Sequence, residues 1–300
     1  MGRIKHWAAL ALLAGLLLPA GRTALGRLGP QTDCNATAIA AAIAAGGTVD
    51  VACASPTVIS WANEVTITKN TTIDGHGTLI LDGQNARRLL RSENNLRVTL
   101  RNLTIRNGRS GDQGAGIKVG FWNTFAASNV RFENNWSTKD TAQCDGGGAI
   151  FIGGGSTASI AGSVFVNNRA NNGGAINSLR TRLSVTNSSF DQNKALHSDA
   201  MNGFGDCGGG GAIYIDGSRM PNDGGPDSLL LLGNTYTGNT SNNHGGAIFA
   251  GLYSNETLLI DRSSFENNSV SRAAGAAWSG TGGAIWYGWA AGGVTNERLI

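Results

Sequence analysis

Two short words alternate along this chain, and their alternation limits the fold more than any local propensity does. The word GGAI stands at 147–150, 173–176, 210–213, 245–248 and 282–285. An aromatic word, [FY]xxN, begins at Phe132, Phe165, Phe190, Tyr236 and Phe265. From GGAI to the next aromatic the distance is 17, 18, 20 or 26 residues, and the return arc runs from 8 to 20. Self-similarity at such a period means stacked units that each bury their apolar face on a neighbour. The first arc is expected to be a fixed path, and the uneven return arc to carry the insertions.

Aligned on the aromatic, Ala158, Leu183, Leu229 and Leu258 stand seven residues earlier, and Ile160, Val185, Leu231 and Ile260 five earlier. Polar residues such as Ser184 and Thr186 fall between them. This is period-two alternation broken by a turn, so each arc reads as two short strands with one buried face. Stacking the arcs places Ile on Ile and Phe on Phe at about 4.8 Å. The Asn closing [FY]xxN is expected at a corner, where it can take the left-handed backbone region or bond the Asn one coil away. Paired Gly lets the chain leave a corner too tight for a Cβ.

Composition agrees. Gly supplies 45 of 300 residues, charged residues are 14% and Pro is scarce, which excludes a helical bundle. The opening run has Arg3 and Lys5, then an apolar stretch from Trp7 to Leu18 and a small-residue site after Pro19. That order predicts a secretory signal over residues 1–20, too short to span a bilayer. Its removal leaves 21 basic against 20 acidic groups, net +1. A nearly neutral chain offers no electrostatic footprint for nucleic acid.

Four cysteines in an exported chain are expected to pair. Cys34 and Cys53 flank one segment, and Cys144 and Cys207 each lie five residues before the Ala of GGAI, so Cys34 to Cys53 and Cys144 to Cys207 are the expected bonds. No CxxC or Cys/His spacing calls for zinc, and the Gly-rich runs lack the Lys-Ser/Thr ending of a phosphate loop, so neither metal nor cofactor is expected. Residues 33–47 contain "TAIAAAIAAGG", a short helix with Ile39 and Ile43 on one face. Stapled by Cys34 to Cys53, it would cap the solenoid that runs over 48–300. The chain ends 18 residues after Gly282, where the next aromatic word is due, so a longer protein is expected.

The alternating words resemble the polymorphic outer membrane protein repeat of chlamydial surface proteins. The early runs "TTIDGHGTLILDG" and "LRNLTIRNG" also look like the start of bacterial right-handed parallel β-helices of the pectin-lyase-like class. The resemblance covers roughly residues 33–300. It implies an all-β right-handed parallel β-helix, exported to the bacterial outer membrane or cell surface. It also implies an adhesin-like or structural binding role towards surface glycans or host and neighbour-cell proteins.

An enzyme of the same fold class, a polysaccharide lyase or hydrolase, is the rival reading and must be weighed on residues. His76 in "DGHG" sits in a turn slot with no matching Asp pair. Glu133, Asp191 and Glu266 follow the aromatic in alternate coils, about 9 to 10 Å apart if stacked. His197, Asp199 and Asp206 cluster in one insertion, and Asp223 and Asp227 in another. The residue after GGAI is Phe151, Asn177, Tyr214, Phe249 or Trp286. With the Ile inward, alternation turns Phe151, Tyr214, Phe249 and Trp286 outward, as a binding stripe or as packing beneath the insertions.

Overall fold

In a computed structural model the chain is described over residues 31–138, 146–196, 207–218, 220, 228–253, 255–271, 281–289 and 298–299. It is a parallel β-helix, and every strand pair is parallel. The described strands form three sheets of fifteen, six and eight members. The fifteen-stranded sheet has two arms joined at a corner. Thr157–Ala161, Arg182–Thr186 and Thr257–Asp261 belong to the first arm, and Val164–Val166, Ser189–Asp191 and Ser264–Glu266 to the second. A coil runs from the eight-stranded sheet through both arms to a two-residue strand of the six-stranded sheet, and then back.

One helix, α1 (Ala36–Ala45), opens the described chain. Seven of its ten residues are Ala, the best helix former, and Asn35 caps it by accepting a hydrogen bond from the Ala38 N–H. Gly46 ends it at φ 78°. Ile39 and Ile43, one turn apart, are fully buried against the first coil, and Cys34 is bonded to Cys53. The helix thus covers the core that a first coil leaves open.

The core follows the alternation read from sequence. Ala158, Leu183, Leu229 and Leu258 share one buried row, and Phe132, Phe165, Phe190 and Tyr236 another. Neighbouring rings of the aromatic row, continued to Phe265, lie 4.7 to 5.0 Å apart and within 8° of parallel. That distance is the strand spacing itself. Beside the rings runs an amide ladder. The Asn168 Oδ1 accepts from both the N–H and Nδ2 of Asn135, while its own Nδ2 donates to the Phe132 carbonyl and to Asn193 Oδ1. Asn193 and Asn239 repeat the pattern, so these buried amides are satisfied by the coils on either side.

One expectation for this Asn is corrected. The left-handed residue at the corner is the one before it: Asn134, Asn167, Gln192, Gly238 and Asn267, at φ 53 to 62°. The closing Asn is held inside by its ladder, and the exposed residue before it takes the turn. The GGAI glycines divide the work similarly. Gly173 has φ 55°, whereas a Cβ on Gly174 would lie 2.2 Å from the Gly211 carbonyl oxygen. The first is needed for its dihedral and the second for close approach of the next coil.

The fixed-path reading is also corrected. Residues 139–145, 197–206 and 272–280 enter after the six-stranded sheet, on the arc expected to carry insertions. A further insertion, residues 217–227, enters between Ile213–Asp216 and Ser228–Leu232, on the arc read as constant. What is constant is the pair of arms and the corner between them. Among the described residues no helix is long and apolar enough to cross a membrane. The segment 1–20 read as a signal lies outside the described residues.

Candidate binding groove and the outward row of the eight-stranded sheet

The outward row of the eight-stranded sheet runs, coil by coil, Thr66, Arg91, Lys118, Phe151, Asn177, Tyr214, Phe249 and Trp286. All four aromatics expected to follow the inward Ile are in this row. Their exposure differs from the stripe reading. Phe151 is 3% exposed and Phe249 4%, while Tyr214 and Trp286 are half-buried. The Phe249 ring lies over Gly209, whose missing side chain leaves room for it. Tyr214, Phe249 and Trp286 stack at 4.6 and 4.4 Å, with His244 beside them. Phe151 is set apart from these three by the buried Asn177. For Phe151 and Phe249, packing rather than an open stripe is the outcome.

Accessible aromatic surface lies one turn further on, at Phe121 and Trp122, which are 39% and 48% exposed. They follow the strand Ile117–Val119 at a corner where the left-handed residues of successive coils are Asn95, Trp122, Gly155, Arg180, Gly217 and Asn255. Trp122 takes φ 59°, a region that costs an L-residue roughly 1–2 kcal/mol. Its ring lies against Gly155, where a Cβ would come within 2.2 Å of it. Strain of this kind persists only where the surroundings over-determine it. Here Asn123 does so. Its Oδ1 accepts from the Leu96 N–H, its Nδ2 donates to Ser92 Oγ and the Glu93 carbonyl, and its own N–H donates to Ser156 Oγ.

Phe121 forms one wall of a surface groove of about 450 Å³, lined also by Arg91, Ser92, Glu93, Asn94, Lys118 and Phe151. Both cations of the groove are already paired. Arg91 Nε lies 3.1 Å from Glu64, and Lys118 Nζ lies 2.7 Å from Asp112. Beneath them the buried Arg88 joins the two acids, 2.8 Å from Glu64 and 3.0 Å from Asp112. Partial burial acts to raise the Asp112 carboxyl, but the Lys118 hydrogen bond and the charges of Lys118 and Arg88 outweigh it, bringing it to about 2. The groove is therefore apolar on one side, polar on the other, and close to neutral. Sequence reading missed Phe121 and Trp122. The signal was there in "GFWN": two adjacent aromatics past the end of a strand cannot both face a core that accepts alternate residues.

The other candidates take these places. His76 is a left-handed corner residue, its Nε2 2.8 Å from Asp50 Oδ1 and 3.9 Å from Asp74. Glu133, Asp191 and Glu266 fall in register on alternate coils, and Glu133 is paired with Arg131 and Arg106. His197, Asp199, Asp206, Asp223, Asp227 and Cys144 lie outside the described residues. Cys207 is buried and disulfide-bonded. At the corner after Ile213–Asp216, Tyr253 donates to Asp216 at 2.8 Å and accepts from Arg180 at 3.1 Å. Burial pushes the Asp216 carboxyl up, against the opposing effects of Tyr253 and Arg180.

No curated protein and no solved structure matches this chain. The Chlamydia polymorphic membrane protein repeat model matches residues 187–216, the stretch that holds the aromatic word at Phe190 and the GGAI word that follows it.

Proposed function

We propose that this chain is an exported, surface-associated binding module, adhesin-like and non-catalytic, whose groove beside Phe121 and Trp122 takes a neutral sugar ring of a surface glycan. The observation that carries the reading is the exposed aromatic pair, held on a strained but rigidly braced corner beside a groove whose cations are already neutralised. Aromatic faces accept the C–H face of a sugar, and the paired polar rim offers hydrogen bonds without favouring an anion. The repeat match supports surface association, since the matched family is one of membrane proteins. A non-catalytic role is supported by the lining, in which Glu93 is the carboxylate, whereas glycoside hydrolysis uses two facing acids.

The test is a pull-down of the mature chain on insoluble neutral glycans such as chitin, cellulose and xylan, with released sugar assayed alongside. Retention without release is expected, weakened about tenfold or more by Trp122→Ala or Phe121→Ala, as loss of an aromatic anchor at a binding site does. Sugar release by the wild-type chain would replace this reading with the lyase or hydrolase one. Retention indifferent to both substitutions would place the binding surface elsewhere.

A further inference from the structure

A different face carries a row of basic residues. The outward residues of the six-stranded sheet, in register from coil to coil, are Arg109, Trp136, Arg169, Lys194, Thr240 and Ser269. Their inward neighbours Ser137, Ala170, Ala195 and Ser241 are buried, so the alternation fixes which way the row points. Arg109, Arg169 and Lys194 are exposed. The Arg109 guanidinium lies 4.2 Å from the centre of the Trp136 ring, and that of Arg169 lies 4.7 Å from it. One indole is thus sandwiched between two guanidinium groups two coils apart, about 9 to 10 Å along the axis.

Among the described residues, the nearby acids are engaged elsewhere or stand on the neighbouring arm. Asp112 is held by Arg88 and Lys118, and Glu133 by Arg131 and Arg106. Asp191 stands on the neighbouring arm, across the Gln192 corner from Lys194. Among the described residues no carboxylate pairs with Arg109 or Arg169. A guanidinium stacked on a ring keeps its N–H edges free, and those edges form the fork that grips a carboxylate with two hydrogen bonds. Trp136 therefore acts as a positioning residue that holds two forks at a set interval.

We propose that this row binds a linear acidic polysaccharide lying along the solenoid axis, one that carries a carboxylate on alternate sugars. The two-coil interval between the arginines matches a charge on every second residue better than a charge on each. Nucleic acid fits poorly. Single strands are held by bases stacking on aromatic faces, and both faces of Trp136 are covered by arginine. This ligand is distinct from the neutral sugar assigned to the groove, and the two sites fail separately: retention on neutral glycans reads the groove, and hyaluronate binding reads the row.

The test is titration of the mature chain with sodium hyaluronate, with heparin and oligo-dT as comparison ligands. Binding that weakens steeply with salt is expected, and that needs no variant. Arg109→Gln with Arg169→Gln is expected to weaken it about tenfold or more, and Arg109→Lys with Arg169→Lys to recover part of the loss. Trp136→Ala, which removes no charge, is expected to weaken it several-fold, with Trp136→Phe restoring most of the affinity. Thermal unfolding of each variant separates lost binding from lost fold. Salt-independent binding, no binding, unchanged affinity in the arginine or Trp136→Ala variants, or tighter binding of heparin or oligo-dT would each overturn the proposal.

Discussion

Two ladders of stacked aromatic rings run along this molecule, one inside the solenoid at Phe132, Phe165, Phe190, Tyr236 and Phe265, the other outside at Tyr214, Phe249 and Trp286. Their ring separations barely differ, 4.7 to 5.0 Å against 4.4 to 4.6 Å. Both are set by the hydrogen-bonded backbone, so spacing says nothing about which side of the sheet a ring is on. Surroundings separate them. The interior rings are enclosed by the other sheets and flanked by the Asn ladder, while Phe249 rests on a single glycine and a neighbouring histidine ring. A repeated residue is thus a reliable guide to register and a poor guide to exposure.

The comparison predicts a graded response to truncation. Phe165→Ala removes a ring enclosed on every side, and urea denaturation should show a loss of about 3–5 kcal/mol. Asn168→Ala should cost about 3 kcal/mol, because it orphans two donors of Asn135, each worth about 1–3 kcal/mol, with water entering the hole to offset part. Phe249→Ala should cost less, about 2 kcal/mol, since its ring, though buried, packs outside the solenoid against Gly209 and His244, where neighbours can close the hole more readily than in the enclosed core. If Phe249→Ala destabilised as much as Phe165→Ala, the distinction between the two ladders would collapse. Smallest is Trp122→Gly. Relief of a left-handed backbone worth about 1–2 kcal/mol offsets lost packing on Gly155, so the thermal midpoint should move little while glycan retention falls.

Much of the architecture was legible because the chain repeats. Leu183 and Val185 announced a strand by alternation, and "TAIAAAIAAGG" announced a helix with Ile39 and Ile43 on the buried side. Reading failed where one residue met a neighbour from a distant coil. The Asn of [FY]xxN bonds the Asn one coil away as expected, but it does not take the left-handed corner, which falls to Asn167 or Gln192 before it. Phe249 was expected to follow the strand outward, and it did, but burial depended on Gly209, forty residues earlier in the sequence.

The sequence by itself determined the parallel β-helix, its coil register, its cap and its first disulfide, because each rests on periodic or local chemistry that adjacent residues spell out. The tertiary structure alone decided which outward residues reach solvent. It placed Phe121 in the wall of an ion-paired groove, left Trp122 exposed on the same corner, covered Phe151 and Phe249, and set Trp136 between two arginines. Exposure is a property of what lies across a surface from residues on other coils, and stacking brings those together at distances no single repeat contains.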